Sequence, residues 1–131
     1  HAPTLVVLPR AISAARKSVY SDPPLVYAAL HLLAETYRKV KLGQEDRLTL
    51  KAACEALGLS IGGSVDPSNA GEQGDEYFVR WAGRRLFLDQ HLAKGSSRDP
   101  RFALRIYFHW LQDEQRVLVG WLPSHLSNSK T

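Results

Sequence analysis

Apolar positions repeat along the chain with two different periods, and the change between them falls near residue 76. Pro3 to Leu8 (PTLVVL) is a short β-branched run ending at Pro9, which fits a strand closed by a proline able to open a helix. In residues 10–20, Ile12, Ala15 and Val19 fall at helical spacing, and Ser21-Asp22-Pro23-Pro24 supplies both a break and an N-cap. A second arm, Leu25 to Lys41, places Leu25, Ala29, Leu32, Leu33 and Val40 inward, with Glu35, Arg38, Lys39 and Lys41 outward or at its C-terminal end. Gly43 ends it. A third helix, about Glu45 to Leu57, closes at Gly58, and Ser60 to Gly74 (SIGGSVDPSNAGEQG) is rich enough in turn formers to read as a long loop.

From Glu76 the period is two. Tyr77, Val79 and Trp81 alternate with Phe78 and Arg80, Gly83 marks a turn, and Leu86 and Leu88 begin a returning strand. In Phe102 to Trp110, the residues Phe102, Leu104, Ile106, Phe108 and Trp110 share one face, predicted as core. Ala103, Arg105, Tyr107 and His109 share the other, predicted as polar. Arg116 to Leu122 (RVLVGWL) is apolar on both faces and reads as a central strand. The predicted fold class is therefore α+β: an N-terminal strand and helical hairpin, plus a third helix, on a mainly antiparallel sheet of four to five strands. One domain over 1–131 is expected, helical at about 9–58, loop at 59–75 and sheet at 76–126.

The single cysteine, Cys54, cannot form an internal disulfide and reads as core, and no apolar run approaches the ~18 residues of a membrane span. A reduced, cytoplasmic protein with no membrane partner is the expectation. His1 opens a stretch without an initiator Met or a secretory pattern and is set aside as a processed or tag-derived end.

The formal charge is +4, but its distribution says more. From Arg80 to Arg105 there are seven basic residues (Arg80, Arg84, Arg85, Lys94, Arg98, Arg101, Arg105) against Asp89 and Asp99, a net +5 in one window. That clustering suits a polyanion, and equally a solvated surface. On the predicted polar face, Arg105 offers a two-pronged phosphate clamp, and Tyr107 offers a ring for a base or a hydrogen-bond donor. His125, fixed by Pro123 just past the last strand, is the first candidate for proton transfer. His91 would join it if its segment is a helical turn, a surface histidine being the plainer reading. Lys94, Arg98, Arg101 and Arg85 are candidate nucleic-acid contacts, and Trp121 a further base platform. His91, His109, His125 and Cys54 lack the close paired spacing of a zinc site, and no phosphate-cradling glycine loop follows a strand, so no metal or cofactor is expected.

The order strand, two helices, antiparallel strands, with PTLVVLPRAISAA at the front and LRIYFHWLQDEQRVLVGWLPSHL at the back, resembles the RelE/ParE superfamily of toxins. The resemblance extends over nearly the whole chain in topology and about 25 residues in pattern, with Arg105, Tyr107 and His125 at the matching positions. It implies a metal-independent endoribonuclease that cuts RNA, often on the ribosome, with a possible inhibitory antitoxin protein as partner. The chain departs from that pattern in its third helix and long loop, in the inserted KGSSRDPR from Lys94 to Arg101, and in lacking a Lys-rich tail after the last strand. The competing readings are a non-catalytic nucleic-acid-binding or regulatory module, and a protein-interaction domain whose basic face meets an acidic, antitoxin-like partner.

Overall fold

The computed structural model describes residues 3–64 and 76–126, and over them the chain is α+β. Strand β1 (Leu5–Val7) runs into helix α1 (Pro9–Arg16), with Pro9 in the first turn, where its missing N–H costs nothing. Ala11 is the buried residue of α1, which packs on the strand Arg116–Trp121. Ile12 and Val19 are 40% and 59% exposed, because the helix stops at Arg16 and a small side chain makes the contact. Asp22 caps α2 (Pro23–Leu32) by accepting the Leu25 N–H at 3.3 Å. This arm continues through a π-helical turn (Leu33–Tyr37) into α3 (Arg38–Lys41), and the wider winding brings Leu33, Ala34 and Tyr37 together into the core. Asp46 caps α4 (Arg47–Ala56) through the Thr49 N–H at 2.9 Å, and Gly58 at φ +71° ends that helix.

The remaining strands are β2 (Ser60–Gly63), β3 (Phe78–Trp81), β4 (Arg84–Phe87), β5 (Gln90–Lys94), β6 (Leu104–Leu111) and β7 (Arg116–Trp121). The main sheet runs β1-β7-β6-β5-β2, with β1 parallel to β7 and the other pairs antiparallel, while β3 and β4 form a separate hairpin. That hairpin turns at Ala82 and Gly83, both at positive φ, the backbone twist that suits a two-residue connection. Strand β7 is paired on both sides, as a sequence apolar on both faces predicts. Two of the expected elements change. Ser60–Gly63 is not loop but an edge strand on β5, and the rest of the expected loop, 65–75, lies outside the described residues. The segment around His91 is a strand rather than a helical turn.

Hydrophobic cores fill both faces of the main sheet. Leu104, Ile106 and Phe108 of β6 join the helices on one side, while Tyr107 and Leu111 join Tyr77, Val79, Leu86, Leu88 and Leu126 on the other. The expected polar face of β6 is therefore interior: Arg105 is 3% exposed and Tyr107 fully buried, because the β3–β4 hairpin and the segment after β7 cover them. Gly120 allows that close cover, since a Cβ there would sit 2.6 Å from a Leu88 methyl. Phe102 precedes β6 and is 56% exposed, so it is not core. Among the described residues, no helix is long and apolar enough to cross a membrane.

Candidate active site

Three separate chain segments deliver His91, Arg105, Tyr107 and His125 to one place. In the β5–β6 ladder His91 stands opposite Tyr107 and Ala93 opposite Arg105, which puts both pairs on the hairpin side of the sheet. The Arg105 N–H donates to the Pro123 carbonyl at 2.8 Å, and the Tyr107 hydroxyl accepts the Leu126 N–H at 3.2 Å. These two bonds pin the chain on either side of His125, which is half-buried. The Tyr107 ring is clamped edge-on by Tyr77 at 5.7 Å and by His91 at 5.8 Å.

The Arg105 guanidinium is spent inward. Its Nη1 donates to the carbonyls of Leu104 at 2.8 Å, Gly95 at 3.0 Å and Lys94 at 3.4 Å, so one nitrogen ties the end of β5 to the start of β6. The two-pronged phosphate clamp expected on an open face is accordingly not what Arg105 forms, and buried Tyr107 is no base platform. His91 is 7% exposed, so the surface reading also fails. Among the described residues, His91 Nδ1 and Arg105 Nε are buried polar atoms without a hydrogen-bond partner, a costly condition that marks the cluster as unlike ordinary core.

Electrostatics follow from that placement. Burial first, then the Arg105 charge and then His125, push the His91 imidazole down to about 4. Burial and Arg105 also lower His125 below the ordinary histidine value, while burial lowers Arg105 from a value so high that it stays a cation. The cluster thus holds a permanent positive charge beside two imidazoles biased toward their neutral, proton-accepting form.

The other expected contacts lie elsewhere. Lys94 pairs with Leu104 on the helix side of the sheet, one residue out of phase with Arg105, and its ammonium lies over Gly58. Exposed Arg98 and Arg101 sit in the β5–β6 connection, where Arg101 is paired to Asp99 at 2.6 Å and packs over Phe102. Arg85 belongs to the separate hairpin and lies 3.7 Å over the Phe78 ring. Trp121 packs under Arg10, whose Nε and Nη2 donate to the Gly120 and Glu76 carbonyls. His109 faces the Phe87 carbonyl at 2.8 Å and Asp89 at 3.4 Å, away from the cluster. Tyr77 and the Gly95 carbonyl are site components that sequence reasoning missed, while Pro123, expected to fix His125, also supplies the carbonyl that accepts the Arg105 N–H. Only Gly95, at φ +79°, carried a local signal, as a glycine where a turn is needed.

Among the described residues, no group of three or more His, Cys, Asp or Glu side chains is placed to hold a metal ion. Comparison of the chain with protein-family models, with curated proteins and with solved structures finds no match.

Proposed function

We propose that the protein is a toxin-like endoribonuclease of the RelE/ParE kind, acting on RNA in the cytoplasm, with His125 as its principal proton-transfer group. The observation that carries this reading is the convergence of His91, Arg105 and His125 from β5, β6 and the segment after β7, with two buried nitrogens unpartnered. Half-exposed His125 meets the substrate. Arg105, one layer in, supplies positive charge toward the phosphoryl oxygens as they gain negative charge, and His91 is the reserve for the second proton transfer. In the reaction the ribose 2′-oxygen bonds to phosphorus and the bond from phosphorus to the 5′-oxygen breaks. The proton lost by the 2′-hydroxyl is matched by one given to the leaving oxygen, leaving a 2′,3′-cyclic phosphate and a 5′-hydroxyl. Exposed Arg98, with Arg80 on the hairpin, offers charge to the flanking strand.

Incubation with end-labelled RNA, in chelator and with or without ribosomes, tests the proposal. Cleavage to cyclic-phosphate ends that a 2′-deoxy nucleotide at the cut site abolishes is the expected result. The separation of the exposed cations from the buried cluster favours a second reading, a nucleic-acid-binding module without cleavage. RNA that is retained but uncut, even with ribosomes, would select it.

A further inference from the structure

We propose that the open cleft between α3, α4 and strands β2, β5 and β6 binds a nucleoside monophosphate, with its base against Trp110 and its phosphate on Lys41, Arg47 and Lys51. The cleft encloses about 970 Å³, at the upper end of the range of roughly 300–1,000 Å³ usual for small-molecule sites. Its lining includes none of His91, Arg105, Tyr107 and His125, so the inference stands independently of the endoribonuclease reading.

Three kinds of surface meet there. Trp110 is half-exposed and fixed in one orientation: its indole N–H donates to Gln112 Oε1 at 2.8 Å, and Tyr37 meets its ring edge-on at 6.5 Å. A held, accessible indole suits a planar aromatic ligand. Arg47 and Lys51 are both exposed and one helical turn apart on α4, a like-charge spacing that costs stability unless an anion answers it. Lys41, at the end of α3, adds a third cation to the same cleft, and Glu55 of α4 offsets one of the three. Asp89 supplies the third surface. Its backbone carbonyl is held by the Ser64 N–H at 2.9 Å, and its half-exposed carboxylate has Oδ1 buried beside His109 Nδ1 at 3.4 Å, so that Oδ2 is the acceptor left to a ligand. A base bearing an amino group, guanine above all, satisfies that carboxylate, whereas the carbonyl-rich edge of uracil does so less well. Base plane, cationic wall and acceptor edge together match a nucleoside phosphate better than a free phosphate or an apolar ligand.

Calorimetric titration of the protein with guanosine 5′-monophosphate at low salt tests the proposal, with uridine 5′-monophosphate, inorganic phosphate and a guanosine-containing trinucleotide as further arms. The expected result is saturable binding of guanosine monophosphate, weaker binding of the uridine analogue, and quenching of tryptophan fluorescence that Trp110→Phe removes. Arg47→Ala with Lys51→Ala should weaken binding by about tenfold or more, and Asp89→Asn should erase the preference for guanosine. These are surface changes, and unchanged circular dichroism confirms the fold. A trinucleotide that binds more tightly assigns the cleft to a residue within an RNA strand, and a tighter mononucleotide assigns it to the free nucleotide. Absence of saturable binding to either would overturn the proposal, as would inorganic phosphate matching guanosine monophosphate or the double variant binding like the parent.

Discussion

Arg105 serves three backbone carbonyls with one nitrogen in a site only 3% exposed, so its removal acts on folding before it acts on chemistry. Arg105→Ala should lose about 2–4 kcal/mol of stability by denaturant unfolding, through unpaired carbonyls and a cavity. Arg105→Lys, which keeps the charge without the planar fork, separates the electrostatic role from the structural one. Tyr107→Phe removes the only change-sensitive part of a buried ring, the oxygen that accepts the Leu126 N–H. We expect a loss of about 1–3 kcal/mol, together with faster amide exchange at Leu126, and unaltered exchange there would contradict the pinning role. His91 adds a pH signature. Because its folded value is held at about 4, below the ordinary 6.5, the unfolded chain binds the proton more readily between those limits. Stability should therefore fall as pH drops from about 6.5 to 4, by on the order of 3 kcal/mol at most, with His125 contributing in the same direction. His91→Gln should flatten most of that slope in acid-unfolding curves, and a parallel slope in the variant would assign it to other groups.

At the scale of elements, the cluster depends on the turn that joins β5 to β6. Gly95 sits at φ +79°, and a Cβ there would stand 2.6 Å from the Phe102 carbonyl oxygen, against the Phe102–Ala103 backbone rather than a flexible side chain that could give way. Gly95→Ala should cost on the order of 2 kcal/mol or more in thermal unfolding and disturb the Gly95 carbonyl that Arg105 holds. A melting temperature equal to the parent's would show that the turn can be rebuilt. The helices were legible because they follow local rules: Asp22 caps one, Gly58 ends one, and Pro9 opens one, whereas Ser60–Gly63, read as loop from its turn formers, is an edge strand. The strand Gln90–Lys94 was not legible, since QHLAK is too short to show a period and its partners on β6 lie beyond an irregular connection, from Lys94 opposite Leu104 to Gln90 opposite Phe108. Nor was the burial of the second face of β6. Alternation tells which residues share a face, and only the tertiary placement of β3–β4 decides whether that face meets water. The grouping of Arg105, Tyr107 and His125 was anticipated, but as an open platform rather than an interior cluster. Lys94 was misplaced by a single residue of strand phase.

For the molecule as a whole, the net +5 window divides into the hairpin cations, Lys94 on the helix side of the sheet, the β5–β6 connection and interior Arg105, with Arg101 and Arg84 each paired to an aspartate. About three exposed cations should therefore reach RNA, giving a log–log salt slope near 2 in magnitude at about 0.7 per phosphate contact. A slope below roughly 1 would remove nucleic acid as the ligand of this surface. The central claim is that His125 transfers a proton during RNA cleavage, and the measurement that tests it most directly is the cleavage rate of His125→Ala set beside its RNA affinity and melting temperature. The account predicts a rate reduced about a hundredfold or more, with affinity and melting temperature close to the parent's, because His125 is half-exposed and its truncation opens no core cavity. Cleavage at the parental rate by this variant would contradict it.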